Sequence, residues 1–270
     1  MLHATELIVE TNYPTQSIRA TPEYVLSVIV DNHRQQSQFD PETDANVVLT
    51  MDTTVAQWRA ACDLVAWRPL GRALNDCWAI HFTDEQWKSV LTPPGRRTLR
   101  DVCNQIASTA SRAVIQPVTL LGKPCATAGA FLTVRYLLEQ AGADAREISP
   151  SMPLKGYLRR YLPVFLGPVS RLSPGALPPV KIRTPMYDRG AIGLLLSLLL
   201  IGAGWLVDWR TQFSVLGSAG VILGVLAAGL CYALIWIAAK GQPASVEFGN
   251  LKTFRDLATR LVEGAGAASE

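Results

Sequence analysis

Gly190 to Val207 reads GAIGLLLSLLLIGAGWLV, and after five residues Phe213 to Ala239 reads FSVLGSAGVILGVLAAGLCYALIWIAA. The first run holds no charged side chain and reaches ~27 Å as a helix, close to the hydrocarbon thickness of a bilayer. The second run is longer, equally free of charge, and long enough to span with tilt. Backbone amides in lipid must be satisfied within the segment, so both runs are expected to be helices. The linker Asp208-Trp209-Arg210-Thr211-Gln212 is just long enough to reverse the chain, which predicts an antiparallel transmembrane hairpin over 190–239, with spans at 190–207 and 213–239.

Charge in the flanks sets the expected orientation. Arg171, Lys181, Arg183 and Arg189 precede the first run, and Lys240 and Lys252 follow the second, whereas the linker carries Arg210 alone. Basic residues gather on the cytoplasmic side, which predicts a two-span membrane protein with cytoplasmic N- and C-termini. Tyr187, Trp205, Trp209 and Trp236 fall near the ends of the runs, at headgroup level. Gly220, Gly224 and Ala228 form a small-residue stripe on the second helix, and Gly193 and Ser197 a shorter one on the first. Such stripes let helices approach closely, either within the hairpin or in a homo-oligomer or protein complex. Neither run has an ionisable residue in its interior, which argues against a channel or transporter.

Outside this region the composition is that of a globular domain. The whole chain of 270 residues is 49 % hydrophobic with a net charge of +3, too small for the basic stripe of a nucleic-acid binder. Met1 to Glu10 lacks the basic start and apolar run of a signal peptide. Five cysteines with no C-x-x-C spacing predict neither a disulfide framework nor a zinc ribbon, and no metal or cofactor is expected.

The expected architecture is an α+β cytosolic domain over 1–145, a Pro-rich basic juxtamembrane linker over 146–189, the hairpin, and a cytosolic segment over 240–270 carrying a strand and an amphipathic helix. Glu6–Glu10, Val25–Val30 and Asn46–Met51 read as strands, and Val114–Leu121 as extended. Val55, Trp58, Cys62 and Val65 share a helix face, as do Trp87, Val90 and Leu91 behind a Thr83/Gln86 capping box. A further helix starts at Thr98, with Asp101 three residues on. Phe131, Val134, Leu137, Leu138 and Ala141 mark another, ending at Gly142.

RTLRDVCNQIA at Arg97–Ala107 is echoed by KTFRDLATRLV at Lys252–Val262. Two readings are open: one element used twice, the later one docking back on the soluble domain, or two helices made alike by common capping rules. The linker also has two readings. Its basic residues Lys155, Arg159, Arg160, Arg171, Lys181, Arg183 and Arg189 either rest on an anionic membrane surface or belong to a hinge packed on the soluble domain.

Cys125 is the one candidate nucleophile, because a helix N-terminus and Lys123 nearby favour a thiolate. No histidine stands in a catalytic context, and Gly122-Lys123 lacks the remaining spacing of a phosphate loop. The sequence therefore leans toward an interaction or scaffold protein presenting a domain at the membrane. The alternative is a membrane-associated enzyme acting on a lipid or acylated substrate.

Overall fold

Thr98 and Thr253 open two helices whose first turns are built in the same way. The computed structural model describes residues 15–120, 122–183, 192–199, 201–203, 205–206, 214–240 and 245–267. They form two units: Met1–Lys181 with Glu247–Glu270, and Ile182–Val246.

The first unit begins with β1 (Thr15–Arg19) and α1 (Pro22–Gln36). The strand expected over 25–30 is corrected here, because these residues are the middle of α1. Thr21 accepts a hydrogen bond from the Tyr24 N–H, Pro22 fits the first helical turn, and Val25, Val28 and Ile29 recur at helical spacing and are buried. Capping and periodicity outweigh the β preference of the branched side chains. The stretch expected as a strand at 46–51 forms none, and Glu6–Glu10 lies outside the described residues.

Next come α2 (Val55–Ala61), α3 (Trp67–Trp78), α4 (Asp84–Leu91) and α5 (Leu99–Ala107). Thr54/Gln57 and Thr83/Gln86 are reciprocal capping boxes, and the Thr98 N–H donates to Asp101 Oδ2 at 3.1 Å. Cys62 caps α2, whereas Val65 lies beyond it and is exposed. The core gathers Val55, Trp58, Trp87, Leu99, Val102 and Ile106. Trp87 donates its indole N–H to Asn75 Oδ1 at 3.0 Å and meets Phe82 edge-on at 5.6 Å.

β2 (Ser111–Ile115) runs antiparallel to β1, with Ser17 opposite Ala113. β3 (Val118–Leu120) and β4 (Lys123–Cys125) form a hairpin that feeds α6 (Ala126–Gln140). α6 buries Phe131, Val134 and Leu138, and the chain leaves it through Gly142 at φ 89°, a value that favours glycine.

Residues 150–181 belong to the core of the first unit. They carry α7 (Lys155–Arg160), α8 (Leu162–Val164), a π turn (Phe165–Val169) and α9 (Ser170–Leu172). Leu154, Leu158, Phe165, Val169 and Leu177 are almost fully buried. Pro163 lies in the first turn of α8 and Pro168 inside the π turn, so the prolines shape helical turns here rather than an extended linker. Gln35 of α1 donates to the Leu177 and Pro178 carbonyls and accepts from the Val180 N–H. β5 (Val180–Arg183) then pairs with β6 (Ser245–Phe248), and α11 (Phe254–Ala267) closes the unit against α6.

The same element is built twice. In the first, Val55 N–H donates to Arg97 O at 2.8 Å, Leu99 N–H to Thr53 O at 2.8 Å and Arg100 N–H to Met51 O at 2.9 Å. In the second, Leu154 donates to Lys252 at 2.8 Å, Phe254 to Met152 at 3.2 Å and Arg255 to Pro150 at 2.8 Å. Isolated bridges fall at the matching pairs, Thr54 with Thr98 and Pro153 with Thr253. Each element has a shallow pocket at the same place: Asp44, Val48, Gln57 and Ala61 line the first, and Ala143, Glu147, Gly156 and Arg160, each 99 positions later, line the second. Leu99, Val102, Cys103 and Ile106 bury one helix face, and Phe254, Leu257, Ala258 and Leu261 bury its counterpart. Shared capping rules explain the helix starts but not four matched long-range pairings, so the echo marks a first repeat and a second repeat.

The second unit is helical over 192–199, 201–203 and 205–206 and in α10 (Ser214–Lys240). Among the described residues no helix is long and apolar enough to cross a membrane. This corrects the transmembrane hairpin at 190–239 and, with it, the membrane assignment and the two-span localisation with cytoplasmic termini. Much of this unit's apolar surface is exposed, including Leu195, Leu199, Leu223 and Leu226, a surface that water alone does not favour.

Candidate functional site: a basic aromatic groove between the repeats

The packing of α1, β2, α6 and α9 leaves two adjoining cavities of about 280 and 540 Å³ in the first unit. Tyr24, Arg112, Ala113 and Leu172 line both, so the two make one groove. α1 and β2 come from the first repeat's side of the chain and α6 and α9 from the second's. Each wall owes its place to a local device: the Thr21 cap sets Tyr24 in the first turn of α1, the β1 register sets Arg112 beside it, and the π turn leads into Arg171.

The side chains interlock. Tyr24 meets Trp78 edge-on with centroids 6.2 Å apart, and its hydroxyl donates to the Arg171 carbonyl at 2.8 Å. The Arg112 guanidinium lies 5.2 Å from the Tyr24 ring centre, and that of Arg171 lies 4.6 Å from the Trp78 ring centre. Arg171 also donates to the carbonyl and the thiol of Cys77. Burial raises the Tyr24 phenol above its ordinary value, while Arg171 and Arg112 pull it the other way, so the hydroxyl stays a donor at neutral pH.

Two cations therefore converge on one aromatic pair, and none of the residues lining the smaller cavity is acidic. Neither arginine forms an ion pair among the described residues. Two of the buried side-chain atoms that lack a hydrogen-bond partner, Arg112 Nε and Ser173 Oγ, belong to the lining of the larger cavity. Both atoms are buried in the wall beneath the groove surface, Ser173 Oγ against Gly264, so it is the guanidinium groups and the rings that face a ligand. Its chemistry is recognition of an anionic group beside an apolar one.

The residues singled out from the sequence are scattered. Cys125 is the half-buried N-cap of α6 and pairs with Val118 across the β3–β4 hairpin. No hydrogen bond among the described residues ties it to a histidine, and His33 is occupied with the Asp44 carbonyl at 3.0 Å. Of the basic set, Lys155, Arg159 and Arg160 are exposed on α7, Lys181 is exposed in β5, and Arg171 alone enters the groove. The Arg183 side chain and Arg189 lie outside the described residues. A Cβ on Gly193 would come 2.6 Å from Cys231 Sγ, and one on Gly224 would come 2.5 Å from Ile201 Cγ1 and 3.1 Å from the Ser197 carbonyl oxygen. The two apolar runs thus touch at Gly193, Ser197 and Gly224. Ala228 is half-buried, and the surroundings of Gly220 lie outside the description. Tyr24, Trp78 and Arg112 carry the groove and belong to no sequence motif.

Of the remaining thiols, Cys62 and Cys103 are buried in the core. Burial pushes Cys62 up to about 11 and Cys103, also opposed by Glu23, up to about 12, from an ordinary 9.0. A thiol that holds its proton more tightly when folded adds stability that is whole below about pH 9 and is lost as pH rises through 11 and 12. Urea midpoints are therefore expected to fall between pH 8.5 and 10.5, and to fall less steeply in Cys103→Ala. An equal slope in that variant contradicts the assignment.

Compared with protein-family models, curated proteins and solved structures, the chain matches none.

Proposed function

We propose that the chain is an interaction protein rather than an enzyme, with the first unit as its recognition module and the groove between the repeats as its binding site. The observation that supports this reading is the basic pair Arg112 and Arg171, which form no ion pair among the described residues and are set among Tyr24, Trp78 and Tyr136 in one groove. Aromatic rings with arginine are the side chains most enriched at binding hot spots. A protein of this kind works by holding a partner, and its groove needs shape and charge but no nucleophile.

The experiment is native mass spectrometry of the full-length protein purified from its own cells, compared with Ala113→Trp. Ala113 is exposed on β2 and lines both cavities, so an indole there fills the groove without removing core. The expected result is a species bound to the natural chain and missing from the variant, with both proteins showing the same circular dichroism. A natural chain that carries nothing, or a variant that keeps the bound species, overturns the reading.

A further inference from the structure

Taking the groove as the recognition site, we propose that it receives an extended acidic segment of a protein partner, added as a strand along the outer edge of β2, with its carboxylates met by Arg112 and Arg171. The inference rests on the reading above and goes on to name the partner's chemistry and conformation.

Shape points to a strand. The lining runs along β2 without a break, with Ser111, Arg112 and Ala113 at the smaller cavity and Arg112 through Ile115 at the larger. Among the described residues β2 belongs to a two-stranded sheet whose other member is β1. In an antiparallel pair every second residue turns its N–H and C=O away from its neighbour, so β2 presents a row of backbone donors and acceptors on its outer side. A strand laid there gains main-chain hydrogen bonds, and its alternate side chains fall toward and away from the groove. β2 has five residues, so a segment of that length reaches ~17 Å and matches it.

Charge points to acid. The smaller cavity is lined by Arg112 and Arg171 and by no carboxylate, and neither arginine forms an ion pair among the described residues. Glu23 is the one acid in the wall of the larger cavity and is exposed. The partner's acids therefore belong at the smaller cavity, beside Arg112 and Arg171. The rings of Tyr24 and Trp78 at the same end pack against the methylene stems of those acids.

The test is calorimetric titration of the full-length protein with acetyl-Val-Glu-Val-Glu-Val-amide, its Val-Gln-Val-Gln-Val counterpart, the acidic peptide N-methylated at alternate amides, and phenyl phosphate. The acidic peptide is expected to bind at least about tenfold more tightly than the glutamine peptide. Arg112→Gln is expected to remove that difference, Arg112→Lys to keep part of it, and N-methylation to abolish binding. Equal binding of the acidic and glutamine peptides overturns the acid preference and leaves the groove standing as a binding site. Phenyl phosphate binding without either peptide overturns the strand and points to a small anion. Binding by none of the probes overturns both this inference and the reading of the groove.

Discussion

Trp87→Ala is expected to lower the stability of the first unit by about 3–5 kcal/mol, the usual cost of emptying a buried large aromatic site. Trp87 is 1 % exposed, and its ring covers the backbone at Gly71, where an added Cβ would come 2.7 Å from the indole Cγ. Removing it also strips Asn75 Oδ1 of the indole donor, although the same oxygen still accepts from the Phe82 N–H at 3.1 Å. The loss is thus mainly one of packing. Trp87→Phe keeps most of the volume and should recover much of the stability. Urea denaturation followed by circular dichroism reads both. A Trp87→Ala midpoint within error of the natural protein contradicts the placement of this ring at the centre of the first repeat.

Phe254→Ala is expected to cost a similar ~3–5 kcal/mol, from a residue 16 positions before Glu270. Phe254 is 1 % exposed and meets Tyr157 at 5.2 Å and Phe131 at 6.4 Å, both edge-on. It ties α11 to α6 and α7, as Leu99 sits at the matching position in the first repeat. If the C-terminal segment were an independent amphipathic tail, truncating one ring there would leave the unfolding transition unmoved. A shift in the midpoint of the whole first unit shows that residues on either side of 182–246 in sequence make one core.

What could be read from the sequence was what is local. Thr83 with Gln86 and Thr98 with Asp101 announce helix starts because the cap and its partner lie within one turn. The buried face of α6 follows from spacing alone. The middle of α1 was misread because Val25, Val28, Ile29 and Val30 favour strands, while the Thr21 cap and the helical period of the buried positions decide the outcome. Pro163 and Pro168 fall in the stretch expected as a Pro-rich linker, but they sit where a first helical turn and a π turn tolerate them. For the two apolar runs, composition suggested a span, whereas the described helices do not supply the continuous apolar length that spanning requires.

The groove was illegible for a different reason. Arg112 and Arg171 are 59 positions apart, and Tyr24 and Trp78 come from α1 and α3, with α2 between them in the chain. Nothing in the immediate neighbourhood of Arg112 in SRAVI marks it as functional. Its significance comes from long-range packing, because the doubled element brings β2, α6 and α9 together around a ring pair. The echo between 97–107 and 252–262 was the one sequence signal that bore on that arrangement, and only the matching hydrogen bonds at 51–55 and 150–154 gave it structural meaning.

The central claim is that the groove between the repeats is where a partner is held. Its most direct test places the photo-crosslinking residue p-benzoylphenylalanine at position 113 of the full-length chain in its own cells, with positions 48 and 159 as controls. Val48 and Arg159 are exposed and lie outside the groove lining. The account predicts a discrete adduct from position 113 that Arg112→Gln weakens, and none from the controls. Adducts of equal yield at all three positions, or none at 113, would contradict it.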